Sequence, residues 1–413
     1  MRVRCIRSVF SIVVLLTVSF RLTAQSEWPQ WGGPTRNFVV KSSGLASAWP
    51  DTGPRQLWKR PLGRGHSAIV ADRDRLYTMY SVGEEEIVIA LAPATGKTLW
   101  EHKYAAPTTG MNYEEGYGPH ATPLLVGNRL FSVGATGKLY ALEKQTGKVI
   151  WFHDLWTEYN GKKMNRGYSC SPLAYKDTII LTLGGPGQAL IAFKQSDGTV
   201  AWKNQTLDMS PTSPMLINVS GEDQMVVFMG KQIVGLNPNN GELLWSHDHI
   251  TDWGLNISLP IWGEDNLLFV SSAYNGGSRV LKLNRVNGKT TVEEVWFNRR
   301  FRLHHGTAVR IGDYVYASSG DFGPAPFTAV NVKTGEIAFQ DRTFPKTTFL
   351  YVEGKLILLD EDGTLALATV SPAGLKVISK TALLQNLAWT APTLVGTKLY
   401  VRDRQTIAAV DLR

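Results

Sequence analysis

One eleven-residue pattern returns along most of this chain and limits it to a repeat architecture. It reads Ala-Leu-x-x-x-Thr-Gly-Lys-x-x-Trp at 90–100 and at 141–151, and weaker copies continue to residue 339. The aromatic residues that close the copies lie 43 or 51 positions apart, and they are Trp100, Trp151, Trp202, Trp245, Trp296 and Phe339. Such a period, built from short strands and tight turns without helical segments, is typical of β-propeller blades.

The glycine of each copy predicts a hairpin turn. Thr-Gly, Asp-Gly and Asn-Gly supply the positive φ that a tight turn between two strands requires. A second hairpin lies upstream of each copy, as at 123–133, where Gly127 and Asn128 form the turn. Two hairpins joined by a third turn give four strands in each unit.

The two ends of the chain complete each other. Two decayed copies follow Phe339, at 347–380 and 391–412, and the last copy stops after its third strand. A strand around Trp58 ends like a blade yet has no blade before it, so it can supply the missing fourth strand. We therefore predict an all-β fold, a single eight-bladed β-propeller at 55–413 whose last blade is closed by the N-terminal strand.

The residues before this domain are predicted to form two segments. Residues 1–24 read as a signal peptide, because arginines precede a 12-residue apolar run at 9–20 and a small-residue cleavage site precedes Gln25. The alternative is an uncleaved anchor, but the run is shorter than the roughly 20 residues of a membrane span. Residues 25–54 are predicted to be an irregular clasp that holds Trp28, Trp31 and Trp49 against the outside of the propeller.

Charge and cysteine content limit the partners of the mature chain. Loss of the four leader arginines lowers Lys+Arg from 43 to 39 against 35 Asp+Glu, without a basic stripe. The sequence therefore indicates no nucleic acid binding. Cys170 is the single cysteine after the leader, so no internal disulfide can form. We expect a periplasmic or secreted monomer without a stable membrane anchor.

The repeats also carry a resemblance to a known family. The chain resembles the bacterial PQQ-binding-like β-propeller repeat proteins, whose fold is shared by quinoprotein alcohol dehydrogenases and an outer-membrane assembly lipoprotein. The opening at 27–34 and the His304-His305-Gly306 stretch are similar to a secreted branch of that family. The resemblance implies the propeller fold, while the same repeat serves members that bind quinone and members that do not.

Departures from the dehydrogenases bear on the cofactor. Many of those enzymes carry a disulfide between adjacent cysteines over the quinone, together with a catalytic aspartate and calcium ligands. Cys170 alone cannot form that disulfide, and no residue here matches the other roles by motif. The resemblance therefore implies no cofactor, and PQQ with Ca²⁺ belongs to an alternative function, the oxidation of an alcohol or sugar.

The first strand of each blade lines the central channel, so its entry residue is predicted to stand at the channel rim. Alignment on the first hairpins makes His66, His120 and His305 equivalent positions. The same register gives the other five blades Ser169, Pro211, Ile257, Lys346 and Trp389. One arc of the rim then combines the histidines with Lys346 and Trp389, and the opposite arc is small or apolar.

Loops on the same face extend this candidate site. Arg64, Arg166 and Arg302 lie two or three residues before their rim positions, and two long loops run over 104–119 and 154–167. The first loop contributes the polar and aromatic residues Tyr113, Glu114, Glu115 and Tyr117. The predicted ligand-binding set is Arg64, His66, His120, Arg166, Arg302, His305, Lys346 and Trp389.

This residue set favours binding over catalysis. Imidazole, guanidinium and ammonium groups suit an anionic or polyhydroxylated ligand, with Trp389 as a stacking surface. We predict a non-catalytic binding or scaffold protein that holds a protein segment or a small anionic ligand at the channel mouth. Two alternatives stay open, a hydrated mouth whose histidines bond to backbone, and strand addition by a peptide at a blade edge.

A different interpretation of the three rim histidines is that they are metal ligands. Three nitrogens would have to lie about 2.0 to 2.1 Å from one zinc ion, and two blades separate His305 from His66. We therefore predict no metal site. His304 is predicted to point to the opposite side of the strand from His305, because neighbouring residues of a strand face opposite sides.

Overall fold

The structure, a computed structural model, describes residues 27–112 and 118–413. The signal peptide predicted at 1–24 and the loop residues Tyr113, Glu114, Glu115 and Tyr117 lie outside the described residues. Strands, turns and irregular segments make up the described part of the chain. Those residues include no helix with the length and apolar character to cross a membrane.

The N-terminal region and the first four blades contain eighteen strands. The N-terminal region has β1 (Val39–Val40) and β2 (Arg55–Pro61). Blade 1 has β3 (Val70–Ala71), β4 (Leu76–Val82), β5 (Glu85–Leu91) and β6 (Thr98–Ala105). Blade 2 has β7 (Leu124–Val126), β8 (Arg129–Val133), β9 (Lys138–Glu143) and β10 (Val149–Asp154). Blade 3 has β11 (Leu173–Tyr175), β12 (Thr178–Thr182), β13 (Leu190–Lys194) and β14 (Val200–Asn204). Blade 4 has β15 (Met215–Val219), β16 (Glu222–Phe228), β17 (Gln232–Leu236) and β18 (Leu243–Asp248).

The remaining blades follow the same order along the chain. Blade 5 has β19 (Ile261–Trp262), β20 (Leu267–Ser272), β21 (Gly277–Val286) and β22 (Lys289–Asn298). Blade 6 has β23 (Ala308–Ile311), β24 (Tyr314–Ser318), β25 (Phe327–Asn331) and β26 (Ile337–Asp341). Blade 7 has β27 (Thr347–Val352), β28 (Lys355–Asp360), β29 (Thr364–Ser371) and β30 (Gly374–Ala382). Blade 8 has β31 (Thr393–Val395), β32 (Lys398–Arg402) and β33 (Thr406–Asp411).

The sheet topology confirms the predicted eight-bladed propeller. Seven blades are antiparallel four-stranded meanders in chain order, and the eighth has the order β2-β33-β32-β31. Strand β2 pairs antiparallel with β33, with Trp58 opposite Ala409. The N-terminal strand therefore completes the last blade, and the ring of eight blades closes on itself.

The repeated tryptophan and glycine join several pairs of neighbouring blades. The Trp100 indole of blade 1 donates from Nε1 to the Lys144 carbonyl of blade 2 at 3.0 Å. A Cβ added to Gly147 in the same turn would lie 2.5 Å from the Trp100 ring. Trp58 of blade 8 meets Gly96 of blade 1 in the same way, with a corresponding distance of 2.6 Å. The motif thus selects glycine for positive φ and also for close approach to the preceding blade.

The N-terminal segment fills one end of the central channel. Trp28 bridges to Ala71 at the end of β3, and β1 pairs in parallel with the innermost strand β27 of blade 7. Arg36 is 4% exposed, and its guanidinium donates to the carbonyls of Pro214 at 2.5 Å and Pro172 at 2.7 Å. These partners belong to blade 1, blade 7 and the entries of blades 4 and 3, so the segment crosses the channel from wall to wall.

This placement corrects one prediction. Trp28 and Trp31 do not clasp the outside, because Trp28 is buried against the inner strand β3 and Trp31 lines the channel cavity. Trp49 does lie farther out, where its backbone N–H donates to the Ser379 hydroxyl on the outer strand β30 at 2.8 Å. An eight-bladed ring leaves a wide central space, and apolar side chains of the irregular N-terminal segment occupy one end of it.

Candidate functional site

The other end of the channel opens into a large cavity. Its volume is about 1430 Å³, and loops that enter the inner strands of the blades form most of its wall. Within the N-terminal segment, Trp28 contacts the far end of β3, and Trp31 lines the cavity. Seven of the eight predicted rim positions line this one cavity, and they are His66, His120, Ser169, Pro211, Ile257, His305 and Trp389.

Four of these residues form a continuous arc of neighbouring rings. The centroids of His120 and His66 lie 5.6 Å apart, and the His66 ring stacks on Trp389 at 5.4 Å with an interplanar angle of 28°. The Trp389 ring contacts His305 on its other side at 4.3 Å. The Trp389 indole also donates to Glu361 Oε2 at 2.9 Å, which fixes its orientation. The arc is thus held in place by packing and by a partly buried hydrogen bond.

His304 belongs to the same cavity as His305, which corrects the prediction that it points away. Both imidazoles line the cavity, with ring centroids 4.6 Å apart. The first strand of blade 6 begins only at Ala308, so the alternation of a strand does not apply to these two residues. The His304 Nε2 atom lies 2.5 Å from the Tyr274 hydroxyl, and the two rings meet edge to face.

Lys346 lies behind the arc, outside the cavity lining. The residue is 7% exposed, and its Nζ atom lies 3.2 Å from His304 Nδ1 and 3.4 Å from His305 Nε2. The same ammonium donates to the Asp321 carbonyl at 3.3 Å and sits 5.6 Å from the centre of the Trp389 ring. Its role in this geometry is to position the two histidines.

Of the three predicted arginines, one lines the cavity and two do not. Arg166 lines the cavity and is exposed, as the sequence register requires. The Arg302 guanidinium instead forms an ion pair with Asp321 at 2.8 Å. Arg64 pairs through its backbone with Ser81 of strand β4. Neither Arg64 nor Arg302 is among the lining residues, because a local partner holds each segment away from the cavity.

Comparison with known proteins now decides the family. A family model described as outer membrane protein assembly factor BamB, PQQ_2, matches residues 39–130 and 84–341. The chain belongs to the PQQ_2 family. The resemblance to PQQ-binding-like propellers that the repeats carry is therefore confirmed.

Individual relatives of this PQQ_2 protein divide into two classes. BamB of Yersinia pestis is 23% identical over 350 residues, which cover 79% of this chain and 82% of that protein. The alcohol dehydrogenase (quinone) dehydrogenase subunit of Gluconobacter oxydans is 22% identical over 307 residues, which cover 67% of this chain but 39% of that subunit. A europium-containing methanol dehydrogenase superposes with a TM-score of 0.66 at 12% identity, over 90% of this chain and 89% of that one. The structural likeness concerns the fold.

The described side chains of the cavity do not form a ligand set that fits the calcium ion of the dehydrogenase class. Among the described residues, no three His, Cys, Asp or Glu side chains group as a metal ion requires. Of the acids that line the cavity, Asp208 pairs with Lys231 at 3.0 Å, and Asp252 accepts from Asn275 at 2.6 Å. Cys170 is a buried free thiol. The Trp389 ring also separates His66 from His305, so these imidazoles cannot share one ion.

Three histidines of the cavity, His66, His304 and His305, are neutral at physiological pH. Desolvation lowers the pKa of His66 and of His305 well below the usual range, and neighbouring imidazoles and cations add to the effect. Burial, with help from Lys346 and Arg166, lowers the pKa of His304 to about 3. The His66 Nε2 atom is buried and has no hydrogen-bond partner among the described residues. Neutral imidazoles supply one donor and one acceptor each, so the arc is a hydrogen-bonding surface.

Sequence reasoning missed the aromatic residues of the loops. Trp253, Tyr274 and Phe322 line the cavity beside His304, and none of them occupies a rim position. Two of them do share a signal, since Asp252-Trp253-Gly254 and Asp321-Phe322-Gly323 place an aromatic residue between turn-forming residues. An aromatic residue inside a turn cannot enter the alternation of a strand, and this favours a surface role.

Proposed function

We propose that this protein is a non-catalytic binding protein that holds a segment of a partner protein in the cavity at its channel mouth. The cavity volume carries the proposal. Sites for small molecules usually enclose roughly 300–1,000 Å³. A cavity of about 1430 Å³ with loops from several blades around it suits a length of polypeptide better than a single small ligand.

The family supports the same interpretation. The matching family is described as an outer membrane protein assembly factor, and the BamB alignment covers most of both chains. The alignment with the quinone dehydrogenase subunit covers 39% of that subunit, and the cavity donors do not suit its cofactor chemistry. We further propose a periplasmic or secreted location, which rests on the leader read at 1–24.

The arc suggests how a segment would be held. The imidazoles of His66, His120 and His305 line the cavity, and their ring nitrogens can donate to or accept from a peptide backbone. Trp389 offers a flat apolar surface between them. The propeller keeps these groups fixed, so little conformational entropy is lost on binding.

The experiment is selection of a displayed random peptide library on the full-length protein, with a matched pair of variants. The test variant replaces His66, His120 and His305 by Ala. The control replaces His102, His153 and His247 by Ala, which lie on the outer strands β6, β10 and β18. We expect selected peptides to bind the wild type and the control equally and to bind the test variant at least about tenfold more weakly.

Two results would overturn the proposal. One is a library that yields no peptide with saturable binding to the wild type. The other is a set of peptides that bind the folded test variant with unchanged affinity, which would move recognition to a blade edge. Thermal unfolding of each variant establishes that the folded state is being compared.

A further inference from the structure

Three exposed apolar side chains line the cavity from two of its loops. Ile250 is 68% exposed, Trp253 is 63% exposed and Phe322 is 56% exposed, and all three line the cavity. We call these three residues the apolar lip. They come from the loops after β18 and β24, on the face where the inner strands begin. Contiguous exposed apolar side chains on a soluble protein commonly mark a surface that binds another molecule.

The loops hold the apolar lip in a defined position. Trp253 packs edge to face on Tyr274 with centroids 5.1 Å apart, and Tyr274 lies 5.7 Å from Phe322. The backbone N–H of Asp252 donates to the Tyr274 carbonyl at 3.0 Å. Tyr274 and Asn275 both adopt positive φ, 52° and 63°, which is costly for residues with a side chain. Strained backbone of this kind persists where the surrounding structure maintains it, and it is common at functional sites.

A different wall carries positive charge. Lys162, Lys163 and Arg166 line the cavity from the loop at 154–167, and all three are exposed. We call these residues the cationic wall. The Lys162 backbone N–H donates to the Leu183 carbonyl at 2.8 Å, which ties this loop to blade 3. Lys231, a further lining cation, pairs with Asp208 at 3.0 Å. Lys162 and Lys163 of this wall therefore present positive charge to whatever enters the cavity.

We propose that the cavity selects an extended acidic segment that contains an aromatic residue. The aromatic side chain would cover the apolar lip, and the carboxylates would face the cationic wall. Charge complementarity argues for the acidic character, and exposed indole and phenyl rings argue for the aromatic anchor. This inference rests on the proposed function, and it adds the chemistry of the segment.

The test uses a fluorescein-labelled ten-residue peptide with four Asp or Glu residues around one Trp, measured by anisotropy against the full-length protein. Two companion peptides change one feature each, the Trp to Ala or the acids to Asn and Gln. We expect each companion to bind at least about tenfold more weakly than the parent. Affinity for the parent peptide should also fall as salt is raised, because exposed charges are screened.

Variants assign the two features to the two surfaces. Trp253→Ala should weaken the parent peptide at least about tenfold while leaving the Trp-to-Ala companion unchanged. Its matched control is Phe152→Ala, an aromatic residue 40% exposed on the outer strand β10, with no expected effect. Lys162→Glu with Lys163→Glu should weaken the parent peptide and leave the uncharged companion unchanged. Exposed positions are chosen so that the fold tolerates the changes.

The outcomes separate this inference from the proposed function. If library peptides bind the arc but the three defined peptides bind equally, the acidic-aromatic pattern is overturned and segment binding stands. If neither the library nor the defined peptides bind, both proposals fail. Concentration-dependent dimers that disappear in Trp253→Ala, seen by light scattering, would assign the lip to a second copy of this chain and overturn the inference.

Discussion

The two ends of the channel are built from the same eight inner strands, yet one is closed and the other is open. At the closed end the inner strands pass into tight hairpins, Trp28 pairs with Ala71 at the end of β3, and Arg36 of the same segment reaches to the entries of blades 3 and 4. At the open end, longer loops carry histidines, lysines and exposed aromatic residues around a cavity of about 1430 Å³. The difference shows that close packing supplies stability at one end, while the other end leaves polar and apolar groups available for binding.

The closed, repeat-built part of the molecule should be the most sensitive to small changes. We expect Gly147→Ala to lower the free energy of unfolding by about 4 kcal/mol, because the new Cβ would meet the Trp100 ring at 2.5 Å on a backbone with φ of 73°. Gly127→Ala is the matched control, since its φ is 57° and no atom lies within 4 Å of the added Cβ. It should cost about 1 kcal/mol. Denaturant unfolding measures both, and equal losses would show that the blade contact contributes nothing.

Arg36 tests the segment that fills the closed end. Arg36→Ala should lower the free energy of unfolding by about 3 kcal/mol, because the Pro172 and Pro214 carbonyls lose a buried charged donor. Arg73→Ala is the control, an exposed arginine 4.0 Å from Glu27, and it should cost less than about 1 kcal/mol. Thermal unfolding compares the variants. A loss at Arg36 no larger than at Arg73 would mean that the segment does not stabilise the ring.

The stability of the folded protein should depend on pH through His304 at the open end. The folded pKa of His304 is lowered to about 3, below the usual 6.5, so below pH 6.5 the unfolded chain binds a proton that the folded chain does not. Stability is therefore lost as pH falls from 6.5 towards 3, by about 1.4 kcal/mol per pH unit for this residue. His304→Gln should flatten the slope by that amount between pH 6 and 4.

The groups that face His304 are Tyr274, His305, Phe322 and Lys346, with Arg166 acting at longer range. All of them remain in the His304→Gln variant, so the difference between the two curves isolates this imidazole. Above pH 7.5 the difference between wild type and variant should be constant. Curves that stay parallel down to pH 4 would contradict a neutral His304.

For PQQ and calcium we expect no binding, which is the smallest effect among these predictions. Calorimetric titration of the full-length protein with PQQ and calcium should give no saturable heat at roughly 50 μM protein. The physical reason is that Asp208 and Asp252 are already paired, and no described cluster of three donors awaits a metal ion. A quinone dehydrogenase with known affinity serves as the positive control. One-to-one binding in the micromolar range would instead favour the dehydrogenase alternative. The open end would then be a catalytic site and not only a binding site.

Sequence reasoning predicted the location of residues that hold a fixed position in the repeat. The rim register placed seven of eight positions in one cavity, including His66, His120 and Trp389, because each lies at a fixed offset from a blade hairpin. It failed for His304, because strand alternation was applied to a residue outside a strand, and for Trp31, which belongs to no repeat. Lys346 has the right register, but its long side chain reaches back to the histidines.

The sequence by itself determined the number of blades, the closing strand around Trp58 and the rim positions. Those features follow from local rules, since a hairpin glycine and an aromatic residue at fixed spacing mark most of the blades. Only the tertiary structure decided which residues fill the channel and which remain exposed at its mouth. Irregular segments have no periodicity, so the positions of Arg36, Trp253 and Phe322 depend on contacts with blades that are distant in the chain.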